Sequence, residues 1–159
     1  MLTNRCSFQA EEILNKHSGW KSLTGTTDFR AITSTIFPNS NSDSNSYSSY
    51  YPACSASHPY HALAFNILVD RILTYVGSYF LKLGGASAVD AIVFSGGIGE
   101  RSVELRAAVG ERCACLGVAI DREKNGAVNG EKESVVEIGD GSVKALVCKT
   151  DEQVRCSAG

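Results

Sequence analysis

The sequence predicts an α/β fold, and three stretches carry that prediction. Ala91-Ile92-Val93-Phe94 is an unbroken apolar run, the pattern of a buried strand. Gly96, Gly97 and Gly99 follow it, and Ser102 then opens an amphipathic run. Ahead of this stretch Phe65, Leu68, Ile72, Val76, Tyr79 and Leu83 recur at three- and four-residue steps, which predicts a long helix over 62–84. Behind it, 134–138 and 143–148 read as two strands joined through Gly139-Asp140-Gly141-Ser142, a hairpin signal. Strands and helices that interleave in this way predict a mixed sheet with flanking helices, the 91–94 strand at its centre.

Taken in order, residues 7–15 predict a helix capped by Ser7, with Phe8, Ile13 and Leu14 as its apolar contacts and Ser18-Gly19 as its stop. The segment 20–30 is short, of mixed polarity and rich in Thr and Gly, and reads as a brief strand leading into a loop. Within it Asp28 and Arg30 flank Phe29. These three residues fit either a helix start with a surface ion pair or the wall of a nucleoside pocket, and by themselves they favour the former. Residues 39–57 are a Ser/Asn tract followed by tyrosines, which predicts a low-complexity loop. His58 and His61 flank Pro59 in a predicted loop without a neighbouring carboxylate, a poor metal pattern.

The 62–84 helix stops at Gly84-Gly85 and leads to the 91–94 strand. The following helix places Leu105, Val109, Cys113 and Leu116 on one stripe and ends at Gly117. Val118 to Ile120 reads as a short strand and 121–126 as a solvated turn. Thr150-Asp151-Glu152-Gln153 has the form of a capping box, so a last helix begins there.

The glycine stretch carries the most chemistry. Strand, glycines and helix start bring backbone N–H groups to one point, which suits an anion such as phosphate. A tight turn needing positive φ produces the same residues. A P-loop is excluded because no Lys follows the glycines. A dinucleotide fingerprint fails because its third glycine position falls on Ser102, which disfavours a dinucleotide-dependent oxidoreductase.

Whole-chain properties narrow the field. The 159 residues suffice for one domain, and a net charge of −2 gives no footprint for nucleic acid. No apolar run approaches a membrane span, and the first residues lack a signal-peptide core, so the expected location is cytoplasmic. The cysteines at 6, 54, 113, 115, 148 and 156 form no C-x-x-C pair and read as reduced thiols, several of them core filler.

Three separated stretches together resemble the acetate/propionate kinase family. They are Leu14-Asn15-Lys16-His17-Ser18-Gly19 with Thr27-Asp28-Phe29-Arg30; residues 89–102, continuing through Glu104-Leu105-Arg106, Leu116-Gly117-Val118 and Glu123-Lys124-Asn125; and Val147-Cys148-Lys149-Thr150-Asp151-Glu152-Gln153-Val154. The resemblance implies a two-domain enzyme of the actin and sugar-kinase superfamily, of which residues 1–159 would be a partial C-terminal, ribonuclease H-like domain. It implies phosphoryl transfer from ATP to acetate or a related short acyl acid, giving ADP and acetyl phosphate, with Mg²⁺ and usually a homodimer.

By the same resemblance Asp28, Phe29 and Arg30 contact the nucleotide. Gly97, Ile98, Gly99, Glu100 and Arg101 form a loop over it, and Glu152 is a magnesium ligand. Arg101 stands where the family usually has Asn, Gln153 where it has a second Glu, and Ala31 where Asp often follows the Arg. No catalytic residue of the family maps onto this chain: its substrate-binding Arg, catalytic Asp, phosphoryl-stabilising His and Arg, and His-Leu-Gly-Asn-Gly loop have no counterpart. The alternative expectation is therefore a catalytically inactive, nucleotide-binding fragment.

Overall fold

Gly19 and Gly25, with φ of 67° and 76°, bracket a single helical turn, α2 (Trp20–Thr24). Here the expected strand is corrected to helix. The Ser22 hydroxyl donates to the Gly19 carbonyl (2.7 Å) and the Thr24 hydroxyl to that of Trp20 (2.8 Å), so residues with strand propensity bond back into the turn instead. The computed structural model describes residues 10–14, 17–38, 58–128 and 133–150. The tract 39–57 and the helix expected beyond Thr150 lie outside these residues.

The described residues up to Leu68 form one compact unit and those from Val69 onward a second. The first contains α1 (10–14), α2, α3 (Phe29–Ile36) and the opening turns of the long helix α4 (Pro59–Leu83). Its core is aromatic. Phe29 packs on Trp20 with ring centroids 5.2 Å apart and stacks on Phe65 at 6.0 Å, and Phe37 meets Phe65 edge-on at 5.5 Å. Helix α4 begins earlier than expected. Pro59 supplies a preset φ and needs no hydrogen-bond acceptor, so His61 lies on the helix rather than in a loop.

Along α4 the buried positions include Ala62, Phe65, Val69 and Phe80, whereas Tyr79 and Leu83 are exposed. The expected stripe is correct at Phe65 and drifts away at its C-terminal end, because steps of 3.6 residues carry Phe80 rather than Tyr79 to the buried side.

The second unit is built on a mixed three-stranded sheet of order β1-β3-β2: β1 (Ala91–Ser95), β2 (Val135–Glu137) and β3 (Lys144–Cys148). β1 pairs parallel with β3, from Ala91 with Lys144 to Ser95 with Cys148, and β2 pairs antiparallel with β3. Among the described residues β3 is therefore central and β1 is an edge strand, which corrects the expected central place of the 91–94 strand. Burial agrees: Ala145 and Val147 of β3 are wholly inaccessible, while Val93 of β1 is 53% exposed. The hairpin over 134–148 forms as expected. Val118 to Ile120 contributes only isolated bridges, Val118 with Val143 and Ile120 with Gly139.

Two further segments differ from expectation. The glycines after β1 do not form a turn ahead of a helix; they are themselves helical, α5 (Gly96–Arg101), entered through Gly96 at φ 72°. Ser102 then breaks the helix and caps α6 (Val103–Arg112), its hydroxyl accepting from the Leu105 N–H at 3.2 Å. The expected solvated turn is helix α7 (Arg122–Ala127). Asp121 caps it by accepting from the Lys124 N–H at 2.8 Å, and Asn125 is buried.

Candidate nucleotide site

α5 stands at the carboxyl end of β1, and residue 150 follows the carboxyl end of the parallel neighbour β3. In open α/β sheets, ligands bind outside the carboxyl ends of such strands. A Cβ placed on Gly96 or Gly97 would meet no heavy atom within 4 Å, so the main chain at the start of α5 faces open space. Bare backbone with room around it is what close approach of a phosphate chain requires. Ile98 is 38% exposed and Arg101 is also exposed.

The Glu100 carboxylate is engaged within the chain. Its Oε1 accepts from the Gly96 N–H at 3.0 Å, the Thr150 N–H at 2.9 Å and the Thr150 hydroxyl at 2.9 Å. These bonds, the Thr150 N–H foremost, hold its pKa below the ordinary 4.5.

Beneath α5 lies Arg106, with none of its surface exposed. Nη1 donates to the carbonyls of Gly99 (2.9 Å) and Glu100 (2.7 Å), Nε to Asn125 Oδ1 (2.6 Å) and Nη2 to the Asn125 carbonyl (3.0 Å). Asn125 Nδ2 in turn donates to the Val103 carbonyl at 3.0 Å. One guanidinium thus fastens the glycine helix to α7. Burial lowers its pKa to about 10, which leaves it protonated at neutral pH. Asp28 and Arg30 are exposed at the start of α3, in the first unit. The Asp28 carboxylate caps α3 by accepting from the Arg30 N–H at 2.9 Å, and the Phe29 ring is a core residue, 7% exposed. Glu152 lies outside the described residues.

Sequence reasoning missed Arg106 and Asn125 as site-building residues. The available signal was a charged residue on the stripe of Ser102, Leu105 and Val109, since a buried polar position is more informative than an exposed apolar one. A crevice of about 330 Å³ between α6 and α7 is lined by Gly110, Ala114, Ile120 and Asn125 among others, and by no residue of the glycine helix. Among the described residues no group of three or more His, Cys, Asp or Glu side chains gathers to hold a metal, and no helix is long and apolar enough to cross a membrane.

Against known families, the profile of the acetokinase family matches residues 2–157. The chain belongs to the acetokinase family. This acetokinase chain is 49% identical over 148 residues to a probable acetate kinase of Emericella nidulans, with 91% of this chain and 30% of that protein covered. It is 46% identical over 160 residues to a probable acetate kinase of Neurospora crassa, covering 91% and 32% respectively. Among solved structures it resembles a propionate kinase from Francisella tularensis, with a TM-score of 0.67, 27% identity, and 92% of this chain and 32% of that one covered. The acetate kinase of Entamoeba histolytica superposes with a TM-score of 0.71 over 92% of this chain and 34% of that one, at 20% identity, a likeness of fold. This acetokinase chain spans about a third of the length of these relatives.

Proposed function

We propose that this chain supplies part of the adenine-nucleotide site of a kinase that transfers the γ-phosphoryl of ATP to acetate or a similar short acyl acid, giving ADP and an acyl phosphate. The observation that carries the reading is the glycine helix at the carboxyl ends of two parallel strands, its N-terminal backbone facing open space, within a chain of the acetokinase family.

On this reading the main chain of Gly97, Ile98, Gly99, Glu100 and Arg101 closes over the diphosphate, and Asp28, Phe29 and Arg30 serve the nucleoside. The buried ring of Phe29 then acts by holding the start of α3 in shape, and the exposed Arg30 makes the contact. Glu152 is the candidate ligand for Mg²⁺, whose charge would offset that of the phosphates. The location proposed for the kinase is the cytoplasm, and its assembly a pair of identical subunits.

The coverage of about a third favours a second reading for the chain by itself: it binds nucleotide and does not turn over. Phosphoryl transfer depends on groups aimed at developing charge, and losing one such donor costs ~10²–10³ in rate. Residues 1–159 hold no match to the substrate-binding Arg, catalytic Asp and phosphoryl-stabilising His and Arg of the family, so this stretch assayed by itself should turn over at background. Titration of the purified chain with fluorescent ADP, alongside an assay for acetyl phosphate, tests both readings. Saturable, magnesium-dependent binding without product is the expected result. Absence of binding would refute the nucleotide site, and product above background would refute the inactivity of the chain.

A further inference from the structure

We infer that the Glu100 side chain is a positioning residue, a latch that ties the glycine helix to the chain leaving β3 at Thr150 and so holds the nucleotide loop in place. The inference rests on the nucleotide-site reading above and adds a role for this carboxylate distinct from that of the Glu100 main chain.

The geometry is specific. Glu100 lies four residues beyond Gly96, one helical turn, so its carboxylate folds back over the start of α5 and accepts from the Gly96 N–H at 3.0 Å. Capping the helix needs nothing more. Yet the same oxygen also accepts from the N–H and the hydroxyl of Thr150, each at 2.9 Å, a residue fifty positions away that belongs to no part of α5.

The last ladder pair between β1 and β3 is Ser95 with Cys148. Beyond it the two strands leave the sheet, and Glu100 rejoins them one residue after the first and two residues after the second. A carboxylate oxygen that accepts three donors has little capacity left for a ligand. Its chemistry is that of a brace between the start of the glycine helix and the chain leaving β3.

ADP is titrated with and without Mg²⁺ into the full chain and into Glu100→Ala, Thr150→Val, Thr150→Ser and the double variant Glu100→Ala/Thr150→Val. ADP affinity should fall about tenfold in Glu100→Ala and about threefold in Thr150→Val, while Thr150→Ser stays within about twofold because it keeps the hydroxyl. The double variant should bind no worse than Glu100→Ala, since both changes remove one linkage. Additive losses, or loss of ADP binding in Glu100→Ala with Thr150→Val unaffected, would overturn the latch in favour of direct contact with the ligand.

Amide hydrogen exchange on the ligand-free chain reads the latch independently. Glu100→Ala should speed exchange at Gly96 and Thr150 about tenfold and leave the interior of β1 and β3 unchanged. Unchanged rates at both amides overturn the proposal whatever the nucleotide does. Faster rates in a chain that binds no ADP keep the latch and count against the nucleotide reading instead.

Discussion

Arg106 is the residue on which the local order of the site turns. A guanidinium with no exposed surface is tolerated because four hydrogen bonds to Gly99, Glu100 and Asn125 replace its hydration. Arg106→Ala should therefore destabilise the chain by about 3 kcal/mol or more in urea unfolding, because buried carbonyls lose a charged donor. Asn125→Ala should cost less, roughly 1–3 kcal/mol, and the double variant less than the sum of the two. Additive costs would show that the two residues act separately.

Glu100 gives a prediction in pH. Its pKa in the folded chain is below 4.5, so its contribution to stability is complete above the unfolded value and is lost as pH falls through the folded one. Glu100→Gln should lower stability near pH 7, where the carboxylate's contribution is complete, and cost progressively less as pH falls through the folded pKa, so that the stability curve of the variant is flatter on the acid side. A variant that loses stability equally at all pH values would contradict this. Thiol reactivity is a further readout at the same scale. Burial raises the pKa of Cys113, whereas Cys115 is exposed. In the native chain iodoacetamide should label Cys115 at least about tenfold faster than Cys113, as mass spectrometry would show.

At the scale of elements, close backbone approach outweighs surface charge. A Cβ on Gly141 would fall on the Gly117 carbonyl oxygen and lie 2.6 Å from the Ala119 nitrogen, both main-chain atoms that cannot swing aside. Gly141→Ala should cost about 1–3 kcal/mol and lower the thermal midpoint accordingly. By contrast, the exposed Lys144–Glu137 pair at 3.6 Å should contribute less than about 1 kcal/mol, so Lys144→Ala should be close to neutral. Equal losses in the two variants would reverse that ordering.

The elements also show where the sequence was legible. The hairpin over 134–148, the start of a helical run at Ser102 and the burial of Leu105, Val109 and Cys113 are local patterns that appear as expected, whereas the helix expected to reach Leu116 ends at Arg112. Three local readings failed for tertiary or capping reasons. Thr and Ser in α2 bond back to its carbonyls, Asp121 caps a helix where charged residues suggested a turn, and β1, apolar enough for a central strand, lies at an edge among the described residues. Arg106 and Asn125 were illegible as a pair because nineteen residues separate them and only the fold joins them.

For the whole molecule, the chain belongs to the acetokinase family, and the nucleotide site proposed for it lies at the carboxyl ends of β1 and β3. The family resemblance was legible in three separated motifs, since glycine spacing and the Thr-Asp-Glu sequence survive without the fold to display them. The part played by Glu100 was not, because its partner Thr150 is distant in sequence and its carboxylate turns away from the role that the motif alone suggests. In the proposed site the backbone from Gly97 to Arg101 closes over the diphosphate of ADP. Nitrogen–proton correlation spectra of the labelled chain, recorded during titration with ADP and Mg²⁺, test it most directly. The amides of 97–101 should shift furthest and saturate together. Saturating shifts confined to another surface, such as the crevice between α6 and α7, would contradict it.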